Sequence, residues 1–246
     1  MLKILNKDYL RWISRAWKYR LIVERQEILF MLKHLKPGQN AVDIGAHKGA
    51  YTYWMSKYAG ANGNVFAFEP QSKLFNQLNK TLDDSKTNNV HVELLALSSN
   101  KGEKTLLIPG KKTSPSASIH NKSLDDGQSA KISVMTTTLD DYFCGKNQIP
   151  VHFLKCDVEG HELEVLMSGQ KLLKMYHPVI IVESEARHCG KDNVIALFDL
   201  IKNNGYNGFF YNGESLVSID KFDIEKYQLN IYKKIYVNNF FFLPKL

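Results

Sequence analysis

Apolar positions along this chain change period several times. Through residues 1–36 they recur at helical spacing: Trp12, Ile13, Ala16 and Trp17 stand with basic residues between them. Ile22, Leu29, Leu32 and Leu35 then carry an apolar face up to Pro37-Gly38, a natural stop. From residue 40 short apolar runs alternate with helix-length patterns. Strands are expected over 41–44, 64–68, 90–95, 151–156 and 179–182, and helices over 50–58, 72–82, 162–166 and 194–203. Gly169 stands as a stop after the third helix and Gly205 as a C-terminal cap after the fourth. Such alternation implies a parallel sheet covered on both faces. It breaks over 104–108 and 131–137, two strand-like runs with no helix between them. The segment between, 109–130, is rich in Ser, Lys, Gly and Asp and reads either as a loop gating a substrate or as a disordered insertion. Final strands are expected over 209–211 and 239–243, where Phe240-Phe241-Phe242-Leu243 would be buried on both faces.

The first strand runs into Val42-Asp43-Ile44-Gly45-Ala46-His47-Lys48-Gly49. Glycine there lets a backbone approach a ligand closely, and the helix opening near Ala50 points its free N–H groups into the same space. The second strand ends in Glu69-Pro70, 26 residues after Asp43, a spacing that fits one strand–helix–strand unit. A carboxylate at that strand end can accept from both ribose hydroxyls of a nucleoside. The dinucleotide pattern G-x-G-x-x-G is not matched, since the turn is Asp43-x-Gly45-x-x-x-Gly49. A carboxylate before the turn repels a pyrophosphate and attracts an ammonium. S-adenosylmethionine, with an amino group, a sulfonium and a ribose, suits these charges better than NAD.

The string from Asp43 to Thr52, then Phe68-Glu69-Pro70, Ala96-Leu97-Ser98, Thr138-Leu139-Asp140-Asp141 and Leu154-Lys155-Cys156-Asp157-Val158-Glu159-Gly160-His161-Glu162 resembles the FkbM-type methyltransferases over roughly residues 24–243. The Asp-Val-Glu-Gly-x-Glu block is its most specific element. His47 stands where the family more often has Asn. The resemblance implies a Rossmann-like class I methyltransferase fold: a mostly parallel seven-stranded sheet with helices on both faces. An N-terminal helical cap over 1–39 would precede a methyltransferase domain over 40–246, with a hairpin insertion near 100–138. It also implies S-adenosylmethionine as cofactor, held by Asp43, Gly45, Ala46, His47, Gly49, Tyr51, Thr52, Glu69, Pro70, Ala96, Leu97 and Asp157, and a sugar or other hydroxyl-bearing small molecule or glycan as acceptor.

Methyl transfer to a hydroxyl needs orientation and a destination for the proton. Asp157, Glu159 and His161 follow the fourth strand at the sheet edge where ligands bind, and are the catalytic candidates. Asp157 could instead cap the next helix, Glu162 could do the same, and His161 could point to solvent. Glu183, Glu185 and His188 cluster after the fifth strand. No tight ligand motif for a metal is present. Tyr51 reads as a methionine-end contact or as core.

With 44% hydrophobic and 23% charged residues the 246-residue chain is ordinary for a globular protein. No apolar run is long enough to span a membrane, and the first ten residues lack a secretory pattern. Cys144, Cys156 and Cys189 are odd in number and widely spaced, which points to reduced thiols and a cytoplasmic setting. A net charge of +7 admits nucleic acid, an anionic glycan or a membrane surface as partner. The alternatives to a sugar methyltransferase are a nucleic-acid methyltransferase and a non-catalytic nucleoside-binding module. The basic-aromatic N-terminal segment reads as a cap packed on the core, or as a lid or membrane-surface helix that bears on the acceptor rather than the cofactor.

Overall fold

The computed structural model describes residues 7–110, 113–119, 129–146, 148–230, 232 and 235–245. Helices α1 (Lys7–Lys18) and α2 (Arg25–His34) are joined by a π-helical turn, Tyr19–Val23. The alternating core follows as β1 (Ala41–Ile44), α3 (Ala50–Ala59), β2 (Val65–Phe68), α4 (Ser72–Ser85) and β3 (Val90–Glu93). A small second sheet comes next, made of β4 (Ala96–Leu97), β5 (Gly102–Ile108) and β6 (Ala130–Thr137), then α5 (Leu139–Phe143). The alternation resumes with β7 (Phe153–Cys156), α6 (Glu162–Met167), α7 (Gln170–Tyr176), β8 (Val179–Glu183), α8 (Ala186–Cys189) and α9 (Lys191–Asn203). It ends with β9 (Tyr206–Tyr211), β10 (Leu216–Ser218) and β11 (Asn239–Pro244).

The main sheet runs β10-β9-β11-β8-β7-β1-β2-β3. Strands β8, β7, β1, β2 and β3 pair in parallel, and β11 inserts antiparallel between β8 and β9. The Rossmann-like α/β layering expected from the sequence is present. The sheet has eight strands rather than seven, because β10 adds an antiparallel edge beyond β9. It is only three residues long, Leu216-Val217-Ser218, too short for a strand period to show in the sequence. Strands β5 and β6 pair antiparallel, as the broken alternation suggested.

Three short helices carried no expectation: α5, α7 and α8. Thr138 caps α5 by accepting from the Asp141 N–H at 2.9 Å. Gly169 ends α6 but also precedes α7 directly, with Leu139 Cδ1 only 2.7 Å from where a Cβ would stand.

Phe240, Phe241 and Phe242 are fully buried, alternately facing the two apolar clusters on either side of the sheet. One of those clusters joins Trp12, Ala16, Ile28 and Met31 of α1 and α2 to Trp54 and Met55 of α3. The apolar face read through residues 22–35 does not hold throughout: Leu35 is buried, but Leu29 is exposed and Ile22 is 74% exposed. The buried positions of this segment are Ile28, Met31 and Leu35, spaced i, i+3, i+7 on one helical face, and Leu29 stands about 100° round from Ile28.

The chain passes β1, β2 and β3 in one direction and returns to β7 on the other side of β1. That reversal is the topological switch point at which open α/β sheets bind ligands, beyond the carboxyl ends of the strands.

Candidate active site

A cavity of about 940 Å³, its open mouth included, lies at that switch point. Residues from β1 and its turn, from the end of β2, from β4 and from the end of β7 line it, and so do Arg15, Tyr19 and Glu24 from the N-terminal helices.

Asp43 is buried at the end of β1. The Thr52 hydroxyl donates to its Oδ2 at 2.5 Å. Among the described residues its other oxygen, Oδ1, is buried with no hydrogen-bond partner. Burial pushes this carboxyl above its ordinary range, against the pull of Lys155 and of the Thr52 hydroxyl. A buried acceptor left in that state costs free energy unless a donor arrives.

Glu69 ends β2 and is also buried. Its Oε2 accepts from the His47 N–H and its Oε1 from the Gln71 N–H, both at 2.8 Å. Each oxygen keeps a lone pair for a further donor. Burial raises this carboxyl to about 7, with the two N–H bonds opposing the shift.

Lys155 is buried within β7. Its ammonium lies 2.7 Å from Asp157 Oδ2 and 4.8 Å from the centre of the Tyr51 ring. Burial works against its charge, but Asp157, Asp43 and Glu24 outweigh burial and hold it well above its ordinary value. The Tyr51 hydroxyl donates to Glu24 Oε2 at 2.5 Å. One end of the cavity is therefore rich in carboxylates around a single locked ammonium, and the other offers Glu69 at a strand end. A ligand with a cationic end and a pair of vicinal hydroxyls matches this arrangement.

A family model of the FkbM methyltransferase domain matches residues 43–207. The chain belongs to the FkbM methyltransferase family. Over 173 residues it is 27% identical to the hexuronic acid methyltransferase AglP of Haloferax volcanii, an alignment covering 69% of this chain and 66% of that protein, so the chain spans about two thirds of that relative's length. Among solved structures it is similar to an FkbM methyltransferase from Methylobacillus flagellatus, with TM-score 0.54, 13% identity, and 96% of this chain and 55% of that one covered. An O-methyltransferase from Thermotoga maritima gives TM-score 0.52 at 13% identity, covering 96% and 71%. The Bacillus cereus O-methyltransferase in complex with SAH gives 0.51 at 14%, covering 100% and 94%. At these identities the likeness is one of fold, that of the Rossmann-like methyltransferases.

The FkbM block Asp157-Val158-Glu159-Gly160-His161-Glu162 has a local physical account at nearly every position. Asp157 does not cap α6; its carboxylate pairs with Lys155. Glu159 adopts φ +56°, a left-handed conformation that costs a non-glycine residue on the order of 1–2 kcal/mol. It is held there from several sides. The Ser118 hydroxyl donates to its carbonyl at 2.6 Å, and its own carboxylate lies 2.8 Å from His188 Nδ1. That contact, more than burial opposes it, raises the His188 pKa. Gly160 has φ +99°, and a Cβ there would meet His188 at 3.0 Å. Glu162 accepts from the N–H groups of Val158 and Gly160, at 3.1 and 2.9 Å, and so clamps the turn. His161 does not point to solvent: it is buried, with Nε2 2.8 Å from the Ser98 hydroxyl, and it lines the cavity.

The structure brings Asp43, Gly45, Ala46, His47, Tyr51, Glu69, Pro70, Ala96, Leu97, Asp157, Glu159 and His161 together around one cavity. Gly49 and Thr52 lie outside its wall. Gly49 keeps a place for α1: the Trp12 indole donates to its carbonyl at 2.6 Å, and a Cβ would sit 2.8 Å from Leu78 and 2.9 Å from the indole nitrogen. Thr52 acts through Asp43. Gly45 lines the cavity, but the close approach it permits is to protein. A Cβ at residue 45 would stand 1.9 Å from the Asp157 carbonyl oxygen. His47 sits at φ +49°, a left-handed position in which Asn, Asp and His are all enriched. Burial, with Lys48 and Arg15 nearby, lowers its pKa to about 4. Glu183 and Glu185 lie off the cavity wall.

Arg15, Tyr19, Glu24, Gln71 and Lys155 line the cavity without having been singled out by sequence. Lys155 carried a signal, a charge inside the apolar run Phe153-Leu154-Lys155-Cys156, two residues from Asp157 and so on the same face of the strand. The three N-terminal residues carried none. Gln71 anchors the β5–β6 segment: it donates to the Ser114 carbonyl at 3.0 Å and accepts from its N–H at 3.1 Å. Pro115, Ala117 and Ile119 of that segment also line the cavity, while its residues 111–112 and 120–128 lie outside the described residues.

Proposed function

We propose that this protein is an S-adenosylmethionine-dependent O-methyltransferase acting on a hydroxyl of a sugar or glycan. The observation that carries the reading is the buried, partnerless Asp43 Oδ1 in a cavity that also holds Glu69. An ammonium group is the donor such an oxygen lacks, and vicinal ribose hydroxyls suit the free lone pairs of Glu69. Asp43, Gly45, Ala46, His47 and Tyr51 would hold the methionine end, Glu69 and Pro70 the ribose, and Ala96 and Leu97 the adenine. Gly49 and Thr52 would support the first group from behind.

When bound, the cofactor supplies an electrophilic methyl group on a sulfonium. The chain's own part is to exclude water and to hold an acceptor hydroxyl in line. Asp157, Glu159 and His161 stand on the cavity wall at the end of β7. Asp157, paired with Lys155, orients the acceptor, and Glu159 or His161 receives its proton. The carboxylates around Lys155 favour a positively charged ligand end over a pyrophosphate. The sugar acceptor is supported by the AglP relative. We assign residues 1–39 to a cap that helps wall the cavity and 40–246 to the methyltransferase domain. The three free cysteines support a reducing, cytoplasmic setting.

Calorimetry with S-adenosylmethionine, S-adenosylhomocysteine, NAD and NADP tests the cofactor. The first two should bind, with affinity at least about tenfold lower in Asp43→Asn, the scale of one hydrogen bond to a charged group. Tighter binding of a dinucleotide would overturn the assignment. A screen of oligosaccharides and nucleic acids with methyl-labelled cofactor tests the acceptor: label in RNA and not in glycans would replace the sugar reading.

A further inference from the structure

One feature of the N-terminal segment is not used by the cavity. Leu10, Trp17, Leu21, Ile22 and Val23 are 47%, 42%, 59%, 74% and 49% exposed. At 3.6 residues per turn Leu10 and Trp17 share one face of α1, and Leu21 continues that line. Arg11 and Lys18 lie about a quarter-turn round, and Arg15, which lines the cavity, lies beyond them in the same sense. An apolar stripe, a basic edge and the cavity wall thus follow one another around a single helix. The π-helical turn carries Leu21, Ile22 and Val23 outward at its end. Arg20 lies over the Trp17 and Trp54 rings, at 5.1 and 4.4 Å from their centres.

The charge on this face is one-sided. Residues 7–27 carry six basic and three acidic side chains. Of the acids, Asp8 lies 3.4 Å from Arg11, Glu24 turns inward to Tyr51, and burial raises the Glu27 carboxyl to about 7. Lys18 and Arg25 are left with no acidic ion-pair partner among the described residues 7–27. We propose that this face docks the protein on an anionic lipid bilayer, with Trp17, Leu21, Ile22 and Val23 entering the headgroup region and Arg11, Lys18 and Arg25 facing lipid phosphates. Basic-aromatic amphipathic helices bind such surfaces by burying an apolar face while their cations meet anionic lipid. A second copy is the poorer occupant, because a two-fold contact places the same basic edge against itself. The docking goes beyond methyl transfer and needs neither cofactor nor acceptor to be read.

Sedimentation of the full chain with phosphatidylcholine vesicles, alone or mixed with phosphatidylglycerol, tests it at low and high salt. The expected result is binding about tenfold or more stronger to the mixed vesicles, weakened by salt. Ile22→Asp should lower that binding by about tenfold, and so should Arg11→Glu with Lys18→Glu. S-adenosylhomocysteine affinity serves as the folding control and should stay unchanged in both variants. Equal binding to both vesicle types overturns the proposal, as does binding that survives both variants. A concentration-dependent dimer abolished by Ile22→Asp, without lipid binding, would make the face a self-association surface and also overturn it.

Discussion

Lys155 Nζ lies 2.7 Å from Asp157 Oδ2, and the two side chains share one face at the end of β7. The pair neutralises part of a cavity that also contains Asp43 and Glu24. Lys155→Met should therefore leave several carboxylates facing one another without a counter-charge. Removing one partner of a buried pair costs about 3–5 kcal/mol. Urea unfolding at neutral pH should show a loss of that order, partly recovered by adding Asp157→Asn. Unchanged stability in Lys155→Met would mean that solvent already screens the pair.

Gly45 and Gly49 should respond differently to alanine. At residue 45 the obstacle is backbone, the Asp157 carbonyl, and φ is +80°. At residue 49 the nearest atoms belong to the side chains of Leu78 and Trp12, which can turn aside. Gly45→Ala should cost about 3 kcal/mol or more by overpacking and left-handed strain together, and should abolish S-adenosylhomocysteine binding. Gly49→Ala should cost less and retain measurable binding. The reverse order in thermal unfolding would sink this account of the turn.

Glu69 should give cofactor binding a pH dependence. Burial places its pKa at about 7 in the free protein. Ribose hydroxyls donate to the ionised carboxylate, so affinity should fall as pH drops through about 7 and level off above it. Glu69→Ala should remove that dependence and weaken binding by about 1–3 kcal/mol. Calorimetry from pH 5 to pH 8.5 reads both effects. Unchanged affinity with collapsed stability would make Glu69 a brace for His47 and Gln71 alone.

Trp12 ties the N-terminal helix to the glycine turn. Trp12→Phe keeps most of the ring and loses the bond to the Gly49 carbonyl. The expected cost is about 1 kcal/mol of stability, with a several-fold loss in S-adenosylhomocysteine affinity as the turn loosens. Because Arg15 and Tyr19 wall the same cavity, deleting residues 1–20 should weaken cofactor binding, contrary to a segment that bears on the acceptor alone. Full affinity in the truncated protein would free the cap of this role.

The order of elements from β1 to β3, the paired β5 and β6, and the burial of Phe240–Phe242 were legible because each is written in a local pattern, a 3.6-residue period for helices and short apolar runs for strands. Asp43 and Glu69 were legible because a strand end is a place in the sequence as well as in space. The same local patterns say nothing of β10, whose pairing depends on a neighbour, or of α7, since a glycine that stops one helix can also begin another.

By itself the sequence determined the doubly wound architecture, the edge of the sheet at which the cavity lies, and the motif strings that mark the family. Only the tertiary structure decided what each glycine is for, that Thr52 reaches Asp43, that His161 turns to Ser98, and that Arg15, Tyr19 and Glu24 share the cavity with Asp157. The physical reason is sequence distance. Periodicity reports how a residue relates to neighbours a few positions away on one element, whereas many contacts of this site join different elements, some more than a hundred positions apart, such as Gly45 to Asp157. Those contacts are set by how the layers pack, and no local pattern records them.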